Sequence, residues 1–102
     1  MLEHLTIDTF SPLLGNTFTV HVDATTAIDV DLVEVSDLGA AAGPTPPARQ
    51  RSPFSIVFRS TSAAALEQRI YRMEHATLGT FELFLVPIGP VVGGMGYEAV
   101  FN

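Results

Sequence analysis

His21, Asp23, Asp29 and Asp31 form the densest cluster of reactive side chains in the chain, within two runs of alternating apolar and polar residues. Three carboxylates and an imidazole are donors that suit a divalent cation. A carboxylate facing an imidazole would also hold it protonated above its usual pKa. Whether they meet depends on register. Phe18, Val20 and Val22 share one face of the first run, and Ile28, Val30 and Leu32 share one face of the second. Those faces match only if paired residue numbers have an even sum of about 50, which sets Val22 by Ile28, Val20 by Val30 and Phe18 by Leu32. His21 then faces Asp29, with Asp23 and Asp31 on the same solvent side. The same parity predicts an odd loop around Ala24-Thr25-Thr26, of three or five residues. Flat strands do not wrap an ion as a calcium loop does, and no further ligand is evident. The competing reading is a solvated polar face with one modest ion pair, no metal and no cofactor.

The remaining candidates are thinner. His75 lies close in sequence to Glu74 and Thr77, but a catalytic histidine needs a nucleophile and an orienting acid beside it, and this spacing carries no triad signature. A histidine at a hairpin end more often fixes the turn by bonding backbone. His4 has no obvious partner. Pro44-Thr45-Pro46-Pro47-Ala48-Arg49 matches the Pro-x-x-Pro-x-basic pattern that aromatic grooves recognise, a match that is common by chance. Gly89 to Gly96 is rich in glycine, but no helix and no Lys follow it, so it is no phosphate cradle. Arg49, Arg51, Arg59, Arg69 and Arg72 are scattered. Glu82 and Glu98 could imitate a glycosidase pair, but a sheet without a cleft makes them a solvated face. No set stands out as catalytic, and the chain is read as not an enzyme.

Composition narrows the classes further. With 102 residues the chain is expected to be one domain, residues 1–102, and 47 % hydrophobic residues with seven Phe supply a core. Cysteine is absent, which excludes disulfides and thiolate chemistry and leaves the redox compartment open. Lysine is absent too, and the net charge of −6 argues against nucleic acid or an anionic membrane as partner. No apolar run is long enough for a membrane span, so membrane insertion is not expected. The first residues lack a basic region before an apolar one, so no signal peptide is expected; the default is cytoplasmic, with delivery to a surface appendage left open.

The elements that must position these residues are strands. Phe81, Leu83 and Leu85 alternate with Glu82, Phe84 and Val86. Both sets are largely apolar, so Gly79 to Val86 reads as a central strand buried on both faces and ended by Pro87. Pairs summing to 154 set Met73 by Phe81, Tyr71 by Leu83 and Ile70 by Phe84, with Arg72 opposite Glu82 as a cross-strand ion pair. Gly79 falls where the hairpin needs a positive φ. This register favours a strand from about Gln68 over a helix on Ala63, Leu66, Ile70 and Met73, with at most a helical turn at 62–66. Phe54 to Arg59 and Tyr97 to Phe101 are further strands. A change of apolar parity at Val33 and Val35 predicts a bulge near Leu32–Glu34. A short helix is expected between Thr6 and Gly15, with Ser11 as cap and Pro12 at its first position. Residues 38–53 read as a Pro-rich surface loop and 87–96 as a mobile Gly-rich loop.

Several stretches taken together resemble a known family. They are Phe10 with Leu14-Gly15 and Phe18; Phe54 to Arg59; Gln68 with Tyr71-Arg72-Met73-Glu74-His75; Leu78-Gly79; Leu83 to Pro87; and Tyr97 to Asn102. In order and spacing the chain is similar, over nearly its whole length, to an uncharacterised family of bacterial proteins classed as a domain of unknown function. Members are associated with phage-tail-collar-like proteins. The resemblance implies a role beside a fibre or tail-like appendage and carries over no catalytic residues. The alanine run at 63–65 and the Pro-rich loop depart from the family's pattern.

The expectation is therefore an all-β domain, a small barrel or sandwich of about six mostly antiparallel strands with a short N-terminal helix. Its core is expected to hold Phe10, Phe18, Val20, Val30, Phe54, Ile56, Phe58, Tyr71, Phe81, Leu83, Leu85 and Phe101. The expected function is a non-enzymatic structural or assembly protein that binds other proteins or itself. The alternatives are a small-molecule or carbohydrate module with its site at a barrel mouth beneath 87–96, and, more weakly, a hydrolase using His75 or His21.

Overall fold

The computed structural model describes residues 5–38, 53–62 and 65–101. His4, the Pro44–Arg49 motif, Arg51 and part of the proposed 62–66 turn lie outside them. The six strands are β1 (Thr17–His21), β2 (Ala27–Asp37), β3 (Phe54–Ser60), β4 (Arg69–His75), β5 (Gly79–Val91) and β6 (Gly94–Phe101), preceded by helix α1 (Ile7–Phe10). They close into a barrel in the order β1-β2-β3-β6-β5-β4, and every pairing is antiparallel. Two three-stranded meanders, β1–β3 and β4–β6, meet along the β3–β6 and β1–β4 seams. A sandwich is thereby excluded.

The inward faces fill the barrel. Phe18, Val20, Val30, Leu32, Ile56, Phe58, Met73, Leu85 and Tyr97 are buried, and each large apolar side chain so placed contributes roughly 1.5–3 kcal/mol. Phe10 plugs one end, its ring 5.5 Å from Phe101, 6.0 Å from Phe54 and 6.4 Å from Phe18. Helix α1 starts at Thr6, whose backbone N–H donates to Thr9 Oγ1 at 3.0 Å. Ser11 instead opens a 3-10 turn, Ser11–Leu13, that carries Pro12 and leads to Gly15 at φ +88°. At the other end Leu66, in the connection from β3 to β4, is buried. Its N–H donates to Tyr97 Oη at 2.9 Å, and Tyr71 Oη donates to Glu67 O at 2.7 Å.

The β4–β5 register is the one expected, Met73 with Phe81, Tyr71 with Leu83, Arg72 with Glu82 and Ile70 with Phe84, and Gly79 has φ +79°. The β2–β3 ladder shifts between Leu32 and Glu34, leaving Val33 as the bulged residue and turning Val35 back to the core.

Five expectations are corrected. The β1–β2 pairs are Phe18 with Val30 and Val20 with Ile28, two residues from the predicted register though of the same parity. The cause is the loop. Asp23 Oδ1 accepts from Thr25 N–H at 2.8 Å and Thr25 Oγ1 at 3.0 Å, which builds the five-residue connection 22–26 and takes Val22 out of the ladder.

Pro87 does not end β5. That strand continues to Val91, beyond Leu85, where β4 stops at Arg69. Among the described residues no strand pairs with the edge of β5 from Val86 onward on that side, and Pro87 and Pro90 offer an adding strand no N–H donor there. Residues 87–96 are accordingly a hairpin rather than a mobile loop. Two of its glycines serve packing: a Cβ on Gly94 would lie 2.2 Å from Ser60 O, and one on Gly96 2.7 Å from Val91 Cγ1.

β5 is buried on one face only. Leu83 and Leu85 point inward, Phe81 is half-buried against the core, and Glu82 and Phe84 are exposed. Arg72 and Glu82, although opposite each other, form no ion pair among the described residues. Both project from the barrel into solvent, where pairing gains little.

Candidate functional site

The shifted β1–β2 register scatters the histidine–carboxylate cluster. His21 lies level with Ala27 on β2 and Arg72 on β4, and its Nε2 is 2.9 Å from Glu74 Oε1. Asp23 is spent on its own turn. The Thr25 N–H and hydroxyl hold its carboxyl below the ordinary 3.8. Asp29 stands level with Thr19, whose hydroxyl lies 3.4 Å from Oδ1. Asp31 Oδ2 accepts from Arg59 Nη2 at 3.0 Å and Oδ1 from Thr17 Oγ1 at 3.0 Å. The guanidinium bond first, then the hydroxyl, lowers its pKa from 3.8. Among the described residues no group of three or more His, Asp or Glu side chains is placed to hold a metal ion.

His75 is buried and lies on the Phe18 ring, with centroids 4.5 Å apart. Its Nδ1 accepts from the backbone N–H of Thr77 at 3.1 Å and of Leu78 at 3.2 Å, which leaves Nε2 as donor to Asn16 Oδ1 at 3.1 Å. Both nitrogens are engaged, so the ring latches the β4–β5 turn to the segment before β1. Glu74, next along β4, points outward to His21 instead. An open groove beside it is lined by Thr17, Thr19, Glu74, His75, Ala76 and Gly79. The Thr17 and Thr19 hydroxyls there are turned to Asp31 and Asp29.

Glu98 faces outward between Val86 on β5 and Val57 on β3, away from Glu82, which lies opposite Arg72. Of the arginines, Arg59 binds Asp31, and Arg69 donates to Val22 O while lying 4.6 Å over the Tyr71 ring.

The feature that sequence reasoning missed is on the outside of the second meander. Ile70 on β4 and Phe84 on β5 are cross-strand partners, 62 % and 48 % exposed. Two residues on from the Val86–Glu98 pair, Phe84 comes level with Val100 on β6, 51 % exposed. Ile88, 46 % exposed, lies further along β5. The outer face of β1 and β2 carries Thr17, Thr19, His21, Asp29 and Asp31 instead. The exposed apolar row thus lies on the second meander, beside the outward-facing Arg72, Glu82 and Glu98. The sequence carries the signal as apolar residues on both alternating sets of β5, a pattern that burial on both faces would equally produce.

No helix among the described residues is long and apolar enough to cross a membrane. No curated protein and no solved structure matches the chain. A family model described as "Domain of unknown function (DUF6916)" matches residues 5–101. The six-stranded barrel, from its Phe10 plug to the end of β6, therefore belongs to the DUF6916 family.

Proposed function

We propose that this domain is a non-enzymatic structural or assembly protein that binds other protein through the outer face of β4, β5 and β6. One observation carries the reading: Ile70, Phe84 and Val100 form an exposed apolar row across three strands. Isolated exposed apolar residues are ordinary, but a contiguous row on one side of a small barrel is the composition of a docking surface. The polar groups support the same reading. His21, Asp23, Asp31 and His75 are each engaged in holding a turn or a seam. The barrel interior is filled by Phe18, Phe58, Leu85 and Tyr97. The setting in a bacterial fibre or phage-tail-like appendage is the part of the proposal that rests on family resemblance alone.

The test compares the wild-type chain with Phe84→Ser as bait against the products of neighbouring genes, read by native mass and light scattering. Capture by the wild type that is lost with Phe84→Ser is expected. Equal capture by both, or a strictly monomeric protein that captures nothing, would contradict the proposal.

A further inference from the structure

We propose that the occupant of this face is a second copy of the same chain, docked by its own β4 and β5 about a two-fold axis. This rests on the reading above that the face binds protein, and it adds the partner's identity. The β4–β5 ladder sets two outward pairs in consecutive rungs of one face, Ile70 with Phe84 and Arg72 with Glu82. A two-fold axis in the contact plane, along the seam between the strands, exchanges β4 of one copy with β5 of the other. Each cross-strand pair is then matched with its own swapped image. Ile70 meets Phe84 of the second copy, Phe84 meets its Ile70, and Arg72 and Glu82 do the same with opposite charges, twice over.

The charges are free to take these partners. Arg72 and Glu82 stand opposite each other yet form no ion pair among the described residues. Arg59 and Arg69, by contrast, are committed to Asp31 and to Val22 O within the chain. An unrelated protein would have to supply the complementary pattern, whereas a second copy carries it in register. The arrangement is isologous, so it closes at two chains, with the outer face of β2 turned away from the contact.

Charge reversal at two exposed positions tests this. Arg72→Glu and Glu82→Arg are each examined alone and as an equimolar mixture by sedimentation velocity over a dilution series, with thermal melts to show that both fold. The wild type is expected to shift from 10.9 kDa to twice that mass as concentration rises. Each variant alone brings like charges together and dimerises at least about tenfold more weakly. The mixture restores opposite charges at both contacts and recovers the wild-type dimer. Ile70→Ser, which alters no charge, weakens the dimer as well. A wild type that stays at one chain throughout, variants that dimerise as the wild type does, or a mixture that fails to recover would each overturn the proposal. A monomeric wild type whose capture of another protein still depends on Phe84 would overturn self-association while leaving the protein-binding reading in place.

Discussion

The Leu66 backbone N–H donates to the Tyr97 hydroxyl at 2.9 Å inside the barrel, tying the β3–β4 connection to β6. Leu66 is buried, so this amide has no water to turn to if the hydroxyl is removed. Tyr97→Phe is expected to cost about 1–3 kcal/mol in denaturant unfolding. Tyr71→Phe removes a bond to the part-buried Glu67 carbonyl and is expected to cost less, about 0.5–1.5 kcal/mol. Equal losses would show that Leu66 is not sealed in.

Two glycines separate space from backbone conformation. Gly94 approaches Ser60 O so closely that a Cβ would sit 2.2 Å away, whereas Gly79 has open space and φ +79°. Gly94→Ala is expected to force β6 from β3 and cost about 2 kcal/mol or more. Gly79→Ala is expected to cost about 1–2 kcal/mol through the left-handed backbone alone. Because Gly79→Asn tolerates that conformation better, it should recover part of the loss, and no relief is expected from Gly94→Asn. Thermal melts of the four variants check the ordering.

Asp31 gives stability a defined pH dependence. Its folded pKa lies below 3.8, chiefly through the Arg59 bond, so the unfolded chain takes up a proton at higher pH than the folded one. This contribution is present in full above the unfolded pKa and is lost as pH falls through the folded one. Asp31→Asn is expected to be less stable than wild type at neutral pH by on the order of 1 kcal/mol or less, since the pair is partly exposed. The two should converge as the solution is acidified below about pH 4. Parallel unfolding curves from neutral to acid pH would show that the Asp31–Arg59 pair does not contribute.

The two faces of β5 should respond differently to truncation. Leu83 and Leu85 are buried, and Leu85→Ala is expected to cost about 2–5 kcal/mol. Phe84→Thr removes an aromatic ring from the solvent side and is expected to change stability by less than about 1 kcal/mol. A loss at Phe84 as large as at Leu85 would mean that the ring is covered within its own chain.

Much of the fold was legible where two signals coincided. On β4 and β5 the apolar parity and the opposed Arg72 and Glu82 allow one register, and Gly79 supplies the turn. On β1 and β2 parity fixed which faces match but not how far the strands slide, because the Asp23–Thr25 turn is a side-chain event that alternation does not encode. Barrel and sandwich also read alike, since closure depends on the distant β1–β4 and β3–β6 seams. Pro87 misled because a missing N–H ends a central ladder but is harmless on the free edge of β5. The candidate site was the least legible part. His21, Asp23, Asp29 and Asp31 have the residue types for chemistry and are separated by a two-residue slide. The row at Ile70, Phe84 and Val100 has only exposure to mark it, and exposure is a property of the folded barrel.

Amide chemical shifts followed through a dilution series locate the working surface residue by residue. The outer positions of β4, β5 and β6, centred on Ile70, Arg72, Glu82, Phe84 and Val100, are expected to move together with concentration, while the outer face of β2 across the barrel stays fixed. Shifts that do not change on dilution or on addition of a captured partner, or that change around His21 and His75 while Phe84 remains still, would contradict the assignment of function to this face.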